Sequence, residues 1–441
     1  MQKKEKCRYR NDKSPHDEQY PHDTEKGEGP QLGKNNPDRY GEQGYYHCLN
    51  IIFHTTDSLS VRMKESSIKL LIPDPVFQLP SGPDTRERYI LFSCGALSVH
   101  ARSTQGMMER PVLVGWAELD GRRLSGDEVN AICVQRPEEI LRFGGEFFLE
   151  YSGCRARDLF GIMQGNCPKG TVICRNGIRD TIEPPATDMP LEEAIITAVQ
   201  LRSNEGITAL SGGVDSTLVA QLAQRECVAV GLAGSHDLRQ ARHAADTLGL
   251  SCTAVTITPD ELAEALPAVL GAIPEKDPLN TGIALTQFFI ARSAAELGYR
   301  RVITGQGADE LFGGYARYLE TSTLETDLEQ DVAGLELQVS RDQAVAALHC
   351  TYLSMPYMDY RVVRAARAIP PAEKVKGGHR KVPLRKVAEH HIPAEFAWYE
   401  KKAMQYGSGV WKELQRLARK KGYKTSVQDY IDHIDRVDHG H

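Results

Sequence analysis

The stretch Ala209-Leu210-Ser211-Gly212-Gly213-Val214-Asp215-Ser216-Thr217 decides how this chain folds. A short apolar run at 207–210 stops at two glycines, and a helical pattern over about 216–225 starts directly after them. A strand that feeds a helix through a glycine turn is the repeating unit of a parallel α/β sheet, and ligands bind at such turns. Two glycines let the backbone approach an anion closely, and the N–H groups from Gly212 to Ser216 can then meet phosphate oxygens, helped by the positive end of the helix. Ser211 and Ser216 add hydroxyls. Asp215 is a poor neighbour for an anion unless a divalent cation bridges the two charges, and Mg²⁺ would do so. A capped Gly-Gly turn with no ligand is the plainer reading, but the whole string between a strand and a helix favours a phosphate site.

Outward from this loop the pattern continues as α/β. Further strands are expected at 228–232, 253–257 and 302–304, with helices at 237–248, 282–297 and 341–354. Pro190 can start a helix whose apolar face is Leu191, Ala194, Ile195, Ala198, Val199 and Leu201. The expected fold is a doubly wound parallel sheet over 183–441, with helices on both faces. Before it, residues 45–182 read as a smaller β-rich domain, with strand candidates at Leu49-Asn50-Ile51-Ile52-Phe53, Tyr89-Ile90-Leu91-Phe92, Pro111-Val112-Leu113-Val114 and 147–151. Pro184 and Pro185 mark an extended linker between the two parts. Residues 1–44 hold 18 charged residues, with Met1 and Leu32 as the only large aliphatics, and read as a disordered arm.

The chain has 441 residues, a net charge of −6 and 41% hydrophobic residues. It has no apolar run near the roughly 18 residues needed to span a membrane, and no apolar leader is evident, so a cytoplasmic protein is expected. The overall charge disfavours a general nucleic-acid binder. The ten cysteines read as reduced thiols rather than a disulfide framework. Cys154, Cys167 and Cys174 fit no common zinc spacing, and no histidine pairs with them. His390-His391 reads as helix surface, and Met355 and Met358 as core. The charge is uneven: residues 361–424 carry 17 Lys and Arg against 5 Asp and Glu, which fits a region that balances an anionic ligand.

A second loop, Thr304-Gly305-Gln306-Gly307-Ala308-Asp309-Glu310-Leu311-Phe312-Gly313-Gly314-Tyr315, follows another strand. In a parallel sheet its start lies beside the first loop, so Asp309 can share a cation with Asp215. The first loop resembles the PP-loop of ATP pyrophosphatases. The second resembles asparagine synthetase and the related β-lactam synthetases. Met355-Pro356-Tyr357-Met358-Asp359-Tyr360-Arg361, Lys381-Val382-Pro383-Leu384-Arg385 and Lys401-Lys402 before Gln405-Tyr406-Gly407 extend the likeness over about 185–415.

This resemblance implies adenylation of a carboxylate by ATP with loss of pyrophosphate, then transfer to ammonia or an amine. It implies that Ser211, Gly212, Gly213, Val214, Asp215 and Ser216 cradle pyrophosphate, that Asp215 and Asp309 hold Mg²⁺, and that Lys381 offsets charge on the phosphates. Leu210, Val230 and Gly305 would contact the nucleotide, Ser235 and Asp237 would lie near adenosine, and Asp359 would support the substrate side. A homodimer is compatible with it.

Gln306 departs from the acidic residue usual in the family's G-[ED]-G. A neutral amide cannot take a proton from an attacking amine, so Glu275, Asp277 or Glu310 becomes the candidate base. Phe143-Gly144-Gly145-Glu146-Phe147-Phe148-Leu149 and Arg157-Asp158-Leu159-Phe160-Gly161-Ile162 resemble the end of the family's glutaminase domain, of Ntn type. That chemistry needs an N-terminal cysteine. Residue 2 is Gln, and Cys7 and Cys48 come later, so a degenerate glutaminase is expected. Two other readings stay open: a PP-loop enzyme that modifies a nucleotide or tRNA base, and a catalytically silent nucleotide-binding relative.

Overall fold

The computed structural model describes residues 110–177, 179–400 and 404–438, together with strand backbones between Asn50 and Ala101. The expected arm, Cys7, Cys48 and Lys401-Lys402 lie outside the described residues. Five strands come first: β1 (Asn50–Phe53), β2 (Leu59–Met63), β3 (Ser66–Leu70), β4 (Arg88–Ser93) and β5 (Ala96–Ala101). They form an antiparallel sheet of order β3-β2-β1-β4-β5.

A second antiparallel sheet follows. It is built from β6 (Val112–Leu119), β7 (Arg122–Arg123), β8 (Gly144–Tyr151), β9 (Cys154–Arg157), β10 (Thr171–Cys174) and β11 (Arg179–Thr181), in the order β11-β10-β9-β8-β6-β7. Helix α1 (Gly126–Gln135) covers one face, and Val129 and Ile132 pack with Phe143, Phe147, Leu149 and Ala156. The helix starts at a reciprocal Ser125–Glu128 capping box that satisfies two otherwise orphan amides. The Arg157-Asp158 pair ties down the loop after β9. Arg157 donates to the carbonyls of Gly161, Met163 and Cys167, and Asp158 accepts from the amides of Phe147, Phe160, Ile162 and Met163.

One expectation about cysteine is corrected here. Cys154 and Cys174 oppose one another directly across β9 and β10 and are joined by a disulfide, so they are not reduced thiols. Cys167 is a separate, buried thiol that meets the carbonyls of Arg155 and Thr171. Residues twenty apart in sequence become neighbours only through the antiparallel pairing.

The third sheet is wholly parallel. Helix α2 (Leu191–Arg202) follows the proline linker. Then come β12 (Ile207–Ala209), α3 (Val214–Ala223), β13 (Cys227–Leu232), α4 (His236–Leu248) and β14 (Cys252–Ile257). Two helices, α5 (Pro259–Ala272) and α6 (Pro278–Glu296), lead to β15 (Arg301–Ile303). Next are α7 (Ala308–Phe312), α8 (Leu324–Ala347), β16 (Tyr352–Ser354), α9 (Tyr360–Ala368), α10 (Pro371–Lys374) and α11 (Val382–Ala388). The order is β14-β13-β12-β15-β16, every pair parallel.

Alternate residues along β13 enter different cores. Val228 and Val230 pack with α5, α6 and α8, whereas Cys227 and Ala229 pack with α2, α3 and α4. This period of two shows that helices cover both faces, the doubly wound arrangement. The chain order reverses between β12 and β15, so the loops after these two strands open side by side at the crevice where such sheets bind ligands. Among the described residues no helix is long and apolar enough to cross a membrane.

The helix expected at 341–354 is overturned in its last part. Helix α8 ends at Ala347, Cys350 takes a left-handed backbone (φ 54°), and residues 352–354 form the edge strand β16. Helix periodicity hides so short a strand. Its backbone needs are met from α8: the Gln343 amide accepts from Leu353 N at 3.0 Å and donates to Leu353 O at 2.6 Å.

A buried charge network joins the second sheet to the third. Glu146 on β8 accepts from Arg202 at 2.8 Å, Met355 N at 2.8 Å, Ser354 Oγ at 2.5 Å and Trp116 Nε1 at 3.0 Å. Arg202 reaches Asp359 at 3.0 Å, and Asp359 meets Arg361, whose guanidinium grips both oxygens of Glu118. All five charged groups are almost fully buried. Burial opposes ionisation of Glu146, yet Arg202 and the hydrogen bonds from Ser354 and Met355 hold its pKa below the ordinary value. Asp359 is thus tied to Arg202 and Arg361 and caps α9, in place of the substrate-side role that its motif implies. Breaking a buried pair strands its partner's charge, so Arg202→Met is expected to cost about 3–5 kcal/mol, read from urea unfolding. A loss below about 1 kcal/mol, the scale of an exposed pair, would contradict this account of the network.

Candidate active site

The crevice at the reversal of the sheet holds a cavity of about 510 Å³. Its floor is the first loop. Leu210, Ser211, Gly213, Val214, Asp215 and Ser216 line it, as do Val230, Asp237, Gly305, Gln306, Asp309 and Lys381. Gly212 lies behind the loop with φ 75°, where a Cβ would fall 2.7 Å from the Gln240 backbone, so only glycine fits. Ser211 Oγ and Ser216 Oγ meet at 2.8 Å, and Ser216 Oγ also accepts from Ser211 N at 3.1 Å, which closes the loop over the first turn of α3. No side chain caps that helix start, and its first residues Val214, Asp215 and Ser216 line the cavity, as an anion site at a helix N-terminus requires.

Lys381 is the centre of the site. Its ammonium lies 2.6 Å from Asp215 Oδ2 and 2.7 Å from Asp309 Oδ1. It is 7% exposed. Burial opposes its charge, but Asp215 and then Asp309 hold its pKa above the ordinary value for lysine. The backbone is shaped around this clasp. Lys381 takes a left-handed conformation at φ 57° just before α11. A Cβ on Gly314 would fall 1.7 Å from Asp309 Oδ1 and 2.3 Å from Lys381 Cε. A Cβ on Gly305 would press to 3.0 Å on Asp215 Cβ and Ser216 N, so the two loops pack almost backbone to backbone. Tyr357 Oη donates to Asp215 O at 3.1 Å and fixes the loop from beneath.

Four of the proposed residues, Ser235, Glu275, Asp277 and Glu310, are not brought to this cavity. Ser235 precedes α4 with its buried Oγ unpartnered among the described residues, away from the lining. Glu310 turns to the other side of α7, where its carboxylate accepts from Tyr315 Oη and from Gln338 Nε2 at 3.0 Å. Burial, then Asp309, raises its pKa. Asp277 caps α6 and, with Glu275, binds Asn280. None of Glu275, Asp277 and Glu310 lines the cavity.

Gln306 does line it, and both ends of its amide are held. Thr304 Oγ1 donates to Oε1 at 3.2 Å, and Nε2 donates to Asp342. Asp342 is itself clamped by the Arg341 guanidinium at 2.7 and 3.1 Å, and Arg341 reaches Asn280 at 2.6 Å. Gln306 is therefore a fixed polar wall. Asp342, thirty-six residues away, carried no motif that could have marked it.

Sequence reasoning also missed Arg380, which donates to Gly314 O at 2.7 Å, and the role of Arg385. Arg385 gathers the carbonyls of Arg380, Ala397 and Tyr399 and pairs with Glu400 at 2.9 Å, building the cavity wall. The basic excess of 361–424 is thus divided. Lys381, Arg380 and Arg385 line the cavity, whereas Arg361 serves the buried network.

Comparison with known proteins places this geometry. Residues 191–343 and 334–434 match the family described as asparagine synthase. The chain is 32% identical over 293 residues to a putative glutamine-hydrolyzing asparagine synthetase of Methanocaldococcus jannaschii, covering 56% of this chain and 54% of that protein. It is 30% identical over 234 residues to the carboxyethyl-arginine beta-lactam-synthase of Streptomyces clavuligerus, covering 51% and 45%. It is 26% identical over 226 residues to asparagine synthetase B of Escherichia coli, covering 46% and 40%. The chain spans about half the length of these relatives. The two loops, the Lys381 segment and the parallel sheet that carries them all fall inside the matched region, and the chain belongs to the asparagine synthase family.

Proposed function

We propose that this chain uses Mg-ATP to activate a small carboxylate as its acyl adenylate and passes the acyl group to ammonia or an amine. The observation that carries the reading is the convergence of Asp215 and Asp309, from loops after two neighbouring strands, on the one ammonium of Lys381. Two carboxylates within reach of one cation, with phosphate oxygens to complete the shell, are a usual donor set for Mg²⁺. The residues fit that ion, which would offset charge on the departing pyrophosphate.

In the first step a substrate carboxylate oxygen bonds to the α-phosphorus, and the bond to the bridging oxygen breaks to release pyrophosphate. The uncapped amides of α3 bind the leaving group, and Lys381 keeps its proton and offsets negative charge beside it. In the second step the amine nitrogen attacks the acyl carbon, the bond to the phosphate oxygen breaks, and the proton released by the nitrogen passes to the departing phosphate of AMP or to solvent. Gln306, held by Thr304 and Asp342, orients the substrate and takes no proton. The names of the relatives support amide formation, as does the family match.

Pyrophosphate release from Mg-ATP, followed with ammonia and a panel of small carboxylates, tests this. One acid is expected to drive release, and Asp215→Asn and Lys381→Met are each expected to lower the rate by about 10²–10³, the range for loss of a group that stabilises transition-state charge. No release with any acid, or full activity in either variant, would overturn it.

Gln306→Glu should not behave as a restored base. The new carboxylate would face Asp342, and like charges raise the pKa. A raised folded pKa means stability that is present at low pH and lost as pH rises through the raised value. The melting temperature of the variant should therefore fall further below the parent at pH 8 than at pH 5. An equal gap at both pH values would contradict the contact.

A further inference from the structure

A second, larger cavity of about 820 Å³ lies on the far side of α7 from the nucleotide crevice. Adjacent residues of that short helix divide between the two: Asp309 lines the crevice and Glu310 the second cavity. Its walls are mostly apolar, including Phe160, Leu328, Val332, Met358, Val363 and Ile369. One end is basic. Lys374, on α10, lines it while only 8% exposed, and no hydrogen bond or ion pair joins its amine to any described residue. Arg364 and Arg367, one turn apart on α9, line the same end and are likewise without an ion pair among the described residues. Burial, and then Arg367, lowers the pKa of the Lys374 amine.

The remaining charges do not neutralise this end. Glu336 is paired with Lys169 at 2.7 Å. Glu310 is engaged by Tyr315 and Gln338. Glu373 is paired with Lys376. Glu325 and Glu329, one turn apart on α8, are exposed and form no ion pair with the basic end, although they line the cavity. The Lys374 stem is buried while its ammonium, like the guanidinium groups of Arg364 and Arg367, lacks a partner among the described residues, so an anion at this end would meet three unanswered cations.

We propose that this cavity is a second ligand site, for a monoanionic carboxylate with an apolar body. The carboxylate head meets Lys374, Arg364 and Arg367, and the carbon chain covers the apolar walls. Glu325 and Glu329, on α8 in the same lining, disfavour ligands of higher negative charge.

Hexanoate is the probe, with hexylphosphate, hexanol and hexylamine for comparison, each titrated by calorimetry into the full chain. Hexanoate is expected to bind, hexylphosphate to bind more weakly, and hexanol and hexylamine not to bind. Lys374→Met keeps the buried apolar stem and removes a charge that repels Arg367, so it is expected to fold at least as well as the parent. It should weaken hexanoate at least tenfold, as should the exposed-site variant Arg367→Gln to a smaller degree. Asp215→Asn, in the other cavity, should bind hexanoate as the parent does. No hexanoate binding, equal binding of hexylamine, or binding unchanged in Lys374→Met would overturn the proposal. A loss of pyrophosphate release in Asp215→Asn with hexanoate binding intact separates this site from the catalytic reading.

Discussion

One buried ammonium held between two carboxylates sets the terms for the rest of the site. Lys381 bridges Asp215 and Asp309, and each carboxylate comes from a loop that follows a different strand. Neither loop could deliver its carboxylate so close without glycine. Gly305 permits the two backbones to touch, and Gly314 leaves the space that Asp309 and Lys381 occupy. An arrangement that concentrates three charges in a half-closed crevice is unfavourable unless the charges are paired or answered by a ligand. The clasp satisfies them as the chain stands. In the proposed reaction Asp215 and Asp309 would hold the magnesium ion and Lys381 would offset phosphate charge.

The second constraint is the Glu146 network, which fixes the parallel sheet against its neighbour. Glu146 belongs to an antiparallel sheet, but its partners Ser354 and Met355 lie at the end of β16, and Arg202 at the end of α2. Met358 and Tyr357 follow within a turn, and Tyr357 supports the backbone of Asp215. A chain of defined contacts therefore runs from the second sheet to the loop of Asp215. Buried pairs of this kind add little net stability over apolar packing, but removing one partner is expensive. Their effect is to make one docking geometry preferable to others.

Much of this was legible in the residues. The SGGVDS string sits between β12 and α3 as its glycines require, and the GQGADE string follows β15. Short continuous apolar runs marked the central strands because both faces of a parallel sheet are buried. What escaped had no local signature. Glu146 and Arg202 are 56 residues apart, and Gln306 and Asp342 are 36 apart. The Cys154–Cys174 bridge depends on strand register, which spacing alone does not set. Strand β16 is three residues long and lies under a helical pattern. Asp309 and Glu310 differ by one position, yet a five-residue helix sends them to different cavities, and only the fold reveals which carboxylate meets Lys381.

The most direct test of this account is the magnesium dependence of nucleotide binding. The affinity for α,β-methylene-ATP, measured by calorimetry with and without Mg²⁺, reads binding apart from turnover. If Asp215 and Asp309 share the ion, Mg²⁺ should strengthen binding at least tenfold, and Asp309→Asn should abolish most of that gain while the magnesium-free affinity holds or rises. Binding that ignores Mg²⁺, or a gain untouched by Asp309→Asn, would contradict the claim that these two carboxylates and Lys381 form the phosphate site.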